Sequence, residues 1–205
     1  MTLTNEFYRD TLEKVELQAH DVLIVVDVQN DFLSGGSLAV PEGNAVIPVL
    51  NKYILHFQQH NLPVIASRDW HPDNHCSFIP QGGRWPPHCV AGSDGANFSA
   101  ELKLPENVTI VSKATQLEKD VYSAFEDTGL AEFLHEKKVT RVFVGGLATD
   151  YCVLNTVKDA IKSGFEVVLL LDAIKAVNVE LEDGEKAIQQ MFKLGAVAIY
   201  LKALK

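Results

Sequence analysis

Arg141-Val-Phe-Val-Gly-Gly-Leu-Ala-Thr-Asp-Tyr-Cys-Val153 is the stretch on which the fold of this 205-residue chain turns. Arg141–Val144 is a short β-branched run, and from Tyr151 the pattern changes period. Val153, Leu154, Val157, Ala160 and Ile161 fall on one face of a helix predicted over Tyr151–Ser163. Strand, glycine turn and helix are thus compressed into one unit. The same rhythm recurs outward in both directions, with strand runs at Val22–Val28, Pro63–Ser67, Val108–Ser112, Phe165–Leu171 and Ala196–Leu201. These runs are continuously apolar rather than alternating, as strands covered on both faces of a parallel sheet require. Helices are predicted at Asn44–His60, Thr128–Lys138 and Glu180–Leu194. The expected architecture is a three-layer α/β/α sandwich around a six-stranded parallel sheet with right-handed crossovers, one domain over residues 1–205.

Composition narrows the function. The net charge is −9, with 47% hydrophobic and 22% charged residues. That leaves no basic footprint for nucleic acid or an anionic membrane. The longest apolar stretch, Phe165–Leu171, is too short to span a bilayer. The N-terminal stretch before Val22 mixes charges and lacks the apolar centre of a signal peptide; it is given no role. Cys76, Cys89 and Cys152 are odd in number and form no CxxC pair, which fits a reducing, cytoplasmic setting.

Residues 68–107 break the rhythm. This segment lacks a core pattern and is crowded with Pro, Gly, His and Trp, as a functional loop insertion would be. It carries Asp69-Trp-His71 and, further on, Trp85-Pro-Pro-His88-Cys89. Two imidazoles and a carboxylate suit an open site for one divalent ion, Zn²⁺, Fe²⁺ or Mn²⁺. His75 is a neighbouring candidate, read as solvent-facing or supporting. Cys76 and Cys89 are read as free structural thiols, and His20, His56, His60 and His135 as surface residues.

Ligands of open α/β sheets bind beyond the carboxyl ends of the strands. Asp27 closes the first strand, Asp69 follows the second, Lys113 follows the third, and Cys152 follows the fourth at a helix start. Helix-start N–H groups and the helix dipole favour a thiolate there, and Gly145 and Gly146 permit the turn that exposes it. Base, cation and nucleophile in one place suit covalent catalysis.

Taken together, Val26-Asp-Val-Gln-Asn-Asp-Phe32, Arg68-Asp-Trp-His-Pro72, Asn74-His-Cys-Ser-Phe78, Gln81-Gly-Gly-Arg-Trp-Pro-Pro-His-Cys-Val90, Tyr122-Ser-Ala-Phe125 and Gly145-Gly-Leu-Ala-Thr-Asp-Tyr-Cys-Val153 resemble the isochorismatase-like cysteine-hydrolase superfamily, in particular its nicotinamidase/pyrazinamidase branch. The resemblance implies a catalytic triad of Asp27, Lys113 and Cys152 and a metal triad of Asp69, His71 and His88. It further implies an oxyanion hole from the N–H groups of Ala148 and Cys152 beside a cis Leu147–Ala148 peptide. Phe32 and Trp85 would flank a flat aromatic ring, that of nicotinamide. Ala114 and Ala124 depart from the resemblance, standing where many relatives carry glycine.

Other readings remain open on sequence. A metal-independent cysteine amidohydrolase acting on a carbamoyl or ureido substrate shares the triad but generally lacks the metal motif. Isochorismatases proper do not use a nucleophilic cysteine at this position. A metallohydrolase would leave Cys152 a bystander, while a redox sensor or a nucleotide-binding module leaves the metal-type loop unexplained. Gly145–Asp150 matches no phosphate-cradling motif. Assembly as a homo-oligomer is compatible with the sequence but not indicated by it.

Overall fold

The structure, a computed structural model, describes residues 10–205. Residues 1–9, part of the stretch before Val22, lie outside the described residues. Six strands, β1 (Asp21–Val26), β2 (Val64–Asp69), β3 (Thr109–Lys113), β4 (Arg141–Leu147), β5 (Glu166–Lys175) and β6 (Val197–Ile199), form one sheet in the order β3-β2-β1-β4-β5-β6. Every adjacent pair is parallel. The six predicted runs are therefore the six strands, with ends displaced by one to a few residues.

Alternate residues of β1 point to opposite layers, which is why the run reads as continuously apolar. Leu23 and Val25 join Leu50, Tyr53, Ile54 and Phe57 of helix α1 (Val46–Gln59) on one face. Val22, Ile24 and Val26 pack on the other face. That layer comprises α2 (Leu130–Glu136), α3 (Leu154–Lys162) and α4 (Asp183–Lys193). Its anchors include Leu134, Val157 and Met191, all at most 1% exposed. Among the described residues no helix is long and apolar enough to cross a membrane.

Two local expectations need correction. Gly145 and Gly146 lie within β4, not in the turn after it. Gly146 has φ +128°, and a Cβ there would stand 2.0 Å from the Val26 carbonyl oxygen, so this glycine lets β4 close against β1. The pairing of β4 with β5 shifts register at the same place, between Val144 and Gly146. Second, Cys152 does not open an α-helix. It lies in a π-helical turn, Thr149–Val153, and α3 begins only at Leu154. Val153 N–H donates to the Ala148 carbonyl at 3.0 Å, the i→i+5 bond that defines such a turn.

The chain steps from β1 outward to β3, then returns to place β4 against β1. The crevice beyond the carboxyl ends of β1 and β4 is the switch point where such sheets bind ligands. Between β2 and β3 there is no crossover helix, only a 3₁₀ turn at Ile79–Gln81 within the long connection. This connection folds back over the switch point.

Candidate active site

Four strand ends meet here. Asp27 directly follows β1 with φ +49° and Lys113 closes β3; both are 0% exposed at the side chain. Lys113 Nζ lies 2.9 Å from Asp27 Oδ2, 2.5 Å from Asp69 Oδ1 and 3.4 Å from Cys152 Sγ. The structure thus brings Asp27, Lys113 and Cys152 together, and adds a pairing of Lys113 with Asp69 that the sequence did not suggest. Parallel register sets Ser67 opposite Val26, and its hydroxyl donates to Asp27 Oδ1 at 2.6 Å.

The electrostatics follow from three charged groups in a dry place. Burial works to depress the Lys113 pKa, but Asp27, Asp69 and Cys152 overturn it, so the ammonium is held well above its ordinary value. Burial also works against ionised Asp69; Lys113, followed by His71, overcomes this and keeps the carboxyl well below the usual range. For Asp27 burial wins over Lys113, and the neighbouring Asp69 adds to it, so its pKa is raised. Burial likewise pushes the Cys152 thiol well up against the pull of Lys113, with Asp27 and Asp69 adding to the rise. Desolvation thus works against the thiolate expected at a helix start and outweighs the pull of the nearby cation.

The long connection delivers the remaining groups. His71 N–H donates to Cys89 O at 3.0 Å and Ala91 N–H to His71 O at 2.8 Å, a parallel bridge that lays the His88 segment alongside His71. Asp31 secures that segment by accepting from Cys89 N–H at 2.7 Å. Gln29, buried, reads the Asp69 backbone from both sides: it donates to Asp69 O and accepts from Asp69 N–H, each at 2.8 Å. Gln29, Asp31 and Ser67 are the site residues that sequence reading passed over. Gln29 and Asp31 stand in the quoted 26–32 motif, which was the one available signal for them.

The donor set suits a cation. His71 Nδ1 faces Ala114 O at 3.3 Å and His88 Nδ1 faces Pro86 O at 2.8 Å, which leaves both Nε2 atoms for a common centre. His71 Nε2 is buried with no hydrogen-bond partner, and lies 3.7 Å from Asp69 Oδ2. One ligand atom from each of Asp69, His71 and His88 lies within 4.8 Å of the others. Burial lowers the His88 pKa, which keeps the imidazole neutral and able to ligate. Ala114 adopts φ +51°, the left-handed conformation that glycine tolerates best, at the residue whose carbonyl meets His71. His75 is not solvent-facing. It is fully buried, its ring 4.3 Å from that of His71, with Nδ1 bonded to Ser77 Oγ and Nε2 to Lys119 O. Cys89 is buried and Cys76 partly so, both free.

Asp69, His71 and His88 form one wall of a cleft that opens to solvent. Phe32, Trp85, Ala148 and Cys152 line it with Asp69, His71 and His88. Trp85 Nε1 donates to Tyr122 Oη at 3.1 Å and Tyr151 meets the indole edge-on, centroids 5.1 Å apart. The Leu147–Ala148 peptide is cis.

The parallel sheet with a buried acid, lysine and cysteine gathered at its switch point places the chain among α/β proteins of the hydrolase type. The Isochorismatase domain family model matches residues 21–202, and the chain belongs to that family. It is 38% identical over 195 residues to the nicotinamidase of Escherichia coli, covering 85% of this chain and 92% of that one. Among solved structures, the pyrazinamidase of Pyrococcus horikoshii in complex with zinc is 47% identical, with a TM-score of 0.85 over 89% of this chain and 99% of that one. A protein of L. infantum in complex with nicotinate is 40% identical, with a TM-score of 0.84 over 94% and 98% of the two chains.

Proposed function

We infer that this chain is a nicotinamidase, hydrolysing nicotinamide, and pyrazinamide as a related ring carboxamide, to the acid and ammonia. The observation that carries this reading is the position of Lys113 Nζ between Asp27, Asp69 and Cys152, of which Asp69 and Cys152 line a cleft together with His71 and His88. Relatives bearing that activity at 37–38% identity support the same conclusion.

Asp69, His71 and His88 would hold one divalent ion, zinc, iron or manganese, whose contribution when bound is Lewis acidity toward the ring nitrogen and so orientation of the carboxamide. The remaining chemistry belongs to the chain. Asp27, its pKa raised by burial, takes the proton of Cys152, and Lys113 balances the resulting negative charge. The sulfur attacks the carboxamide carbon, and the backbone N–H groups of Ala148 and Cys152 receive the oxyanion. Asp27 then protonates the departing nitrogen; the C–N bond breaks, ammonia leaves and a thioester remains. Water attacks that carbon as Asp27 takes its proton. The C–S bond breaks, the acid departs, and Asp27 returns the proton to sulfur. Phe32 and Trp85 sandwich the ring and keep it in register with Cys152.

Ammonia release from nicotinamide, followed before and after chelation and metal add-back, tests this reading. Release should fall with chelator and return with metal. No release with any metal ion supplied overturns the assignment in favour of ureido or carbamoyl substrates.

A further inference from the structure

The π-helical turn that carries Cys152 is also tied, through the side chain of Asp150, to the segment after β5, and that tie reaches the cleft. Asp150 projects from this turn, between Ala148 and Cys152. Its Oδ1 accepts from Val177 N–H at 2.9 Å and its Oδ2 from Asn178 N–H at 2.8 Å. Val177 and Asn178 lie in the 176–182 segment that links β5 to α4. Val177 lines the cleft together with Ala148, Tyr151 and Cys152. Asn178, in the left-handed region at φ +53°, passes the constraint on, because its Oδ1 accepts from Gly184 N–H at 2.8 Å in the first turn of α4. A Cβ on Gly184 would stand 2.5 Å from the Ala176 side chain, so the segment and α4 touch closely there.

The rest of the segment has little apolar packing to hold it. Leu181 is 85% exposed and Val179 56%. Backbone N–H bonds to an ionised carboxylate are the stronger kind of hydrogen bond, and here one carboxylate makes two of them. We propose that Asp150 is a positioning residue: it holds Val177 as the wall of the cleft facing the 148–152 turn, and so sets how tightly the substrate ring is confined, without touching substrate itself. This rests on the reading of the cleft as the nicotinamide site. The turn bearing the nucleophile is held independently by Tyr151 N–H and Val153 N–H, which both donate to Ala148 O, so the carboxylate anchors the wall that confines the ring to a turn already fixed.

Asp150→Asn keeps the shape of the side chain but replaces one of its two acceptor oxygens with a donor. The tests are steady-state kinetics on nicotinamide and backbone amide exchange in the metal-loaded full-length protein. In Asp150→Asn, KM should rise about tenfold with kcat little changed, the signature of lost confinement rather than lost chemistry. The amides of Val177 and Asn178 should exchange much faster while those of β5 and α3 do not. Val177→Ala should raise KM similarly, and the double variant should be no worse than the worse single one, since both changes remove the same wall. A merely structural Asp150 would instead lower thermal stability and the active fraction, hence kcat, and leave KM where it was. That pattern, additive KM effects, or unchanged exchange at 177 and 178 would each overturn the proposal. Should Asp150→Asn fail to fold, Val177→Ala still decides: an unchanged KM refutes the wall. Absence of nicotinamide turnover in the unsubstituted protein would sink the activity reading instead, and the exchange measurement would still judge the tie.

Discussion

Replacing Lys113 with methionine removes the one cation at the centre of the site while preserving most of its volume. Lys113 is 0% exposed and faces Asp27, 0% exposed, and Asp69, 6% exposed. Taking one partner from a buried ion pair costs about 3–5 kcal/mol, because the other charge is stranded without water. Against a total stability of roughly 5–15 kcal/mol that is a large share. Two carboxylates rather than one are stranded here, but they have an escape: they can bind protons. Lys113 is the largest force lowering the pKa of both acids. Without it, Asp27 rises further above its ordinary value of 3.8 and Asp69 loses the largest influence that depresses it. Groups raised in the folded state stabilise it fully below their unfolded pKa and lose that contribution as pH climbs. Asp69 in the unsubstituted chain does the opposite: its contribution is present above 3.8 and lost as pH falls. The stability gap between the two proteins should therefore be small near pH 4 and widen toward neutrality by up to about 1.4 kcal/mol per pH unit for each acid. It should level off at about 3–5 kcal/mol once both acids are ionised in the folded variant. Urea denaturation of chelator-treated protein at pH 5.0 and 7.5 measures it. A gap that is independent of pH, or larger at pH 5.0, would refute the stranded-carboxylate account.

The other expectations are more compact. Cys152→Ala should abolish turnover yet still bind nicotinamide, as isothermal titration of the metal-loaded variant would record; surviving hydrolysis would return the metallohydrolase reading. His71→Ala should lose most bound metal and raise the nicotinamide Kd, so unchanged metal content by elemental analysis would remove His71 from the ligand set. Burial, followed by Asp69 and Asp31, raises the Cys89 pKa, and burial raises that of Cys152. The folded chain therefore keeps two thiol protons that the unfolded chain releases above its ordinary 9.0. Stability should fall between pH 9 and 10 with a slope near 1.4 kcal/mol per pH unit per thiol. Cys89→Ala should remove about half of that slope; an unaltered slope would mean that Cys89 is not protected by burial.

What could be read from the sequence, and what could not, divides along physical lines. The sheet was legible because the central stretches of β1, β4 and β5, residues 22–26, 142–144 and 167–170, are buried on both faces and carry no polar residue. The convergence of residues 27, 69, 113 and 152 was legible because a parallel sheet gathers its carboxyl ends on one side whatever its strand order. Ser67 and Gln29 were not, because each is chosen by register across the chain: Ser67 meets Asp27 only because β2 lies beside β1 in that one alignment. Nor was the opposing pull of burial on the Cys152 thiol. Local reasoning about a helix start pointed to a thiolate, while its acidity is decided by burial, a property of the whole fold.

The same distinction explains why the acid of the metal-type loop matters to the nucleophile. Asp69 offers Oδ1 to Lys113 and turns Oδ2 toward His71 Nε2. Asp27 similarly divides its oxygens, Oδ1 to Ser67 and Oδ2 to Lys113. The ammonium is therefore shared between Asp27 and Asp69, the acid proposed as a metal ligand. Any cation drawn to Oδ2 of Asp69 competes for the charge that helps hold Lys113, and any proton moved onto Asp27 lets Lys113 lean toward Asp69. This is why a chain carrying the triad with a different residue at position 69 would need another way to hold its lysine.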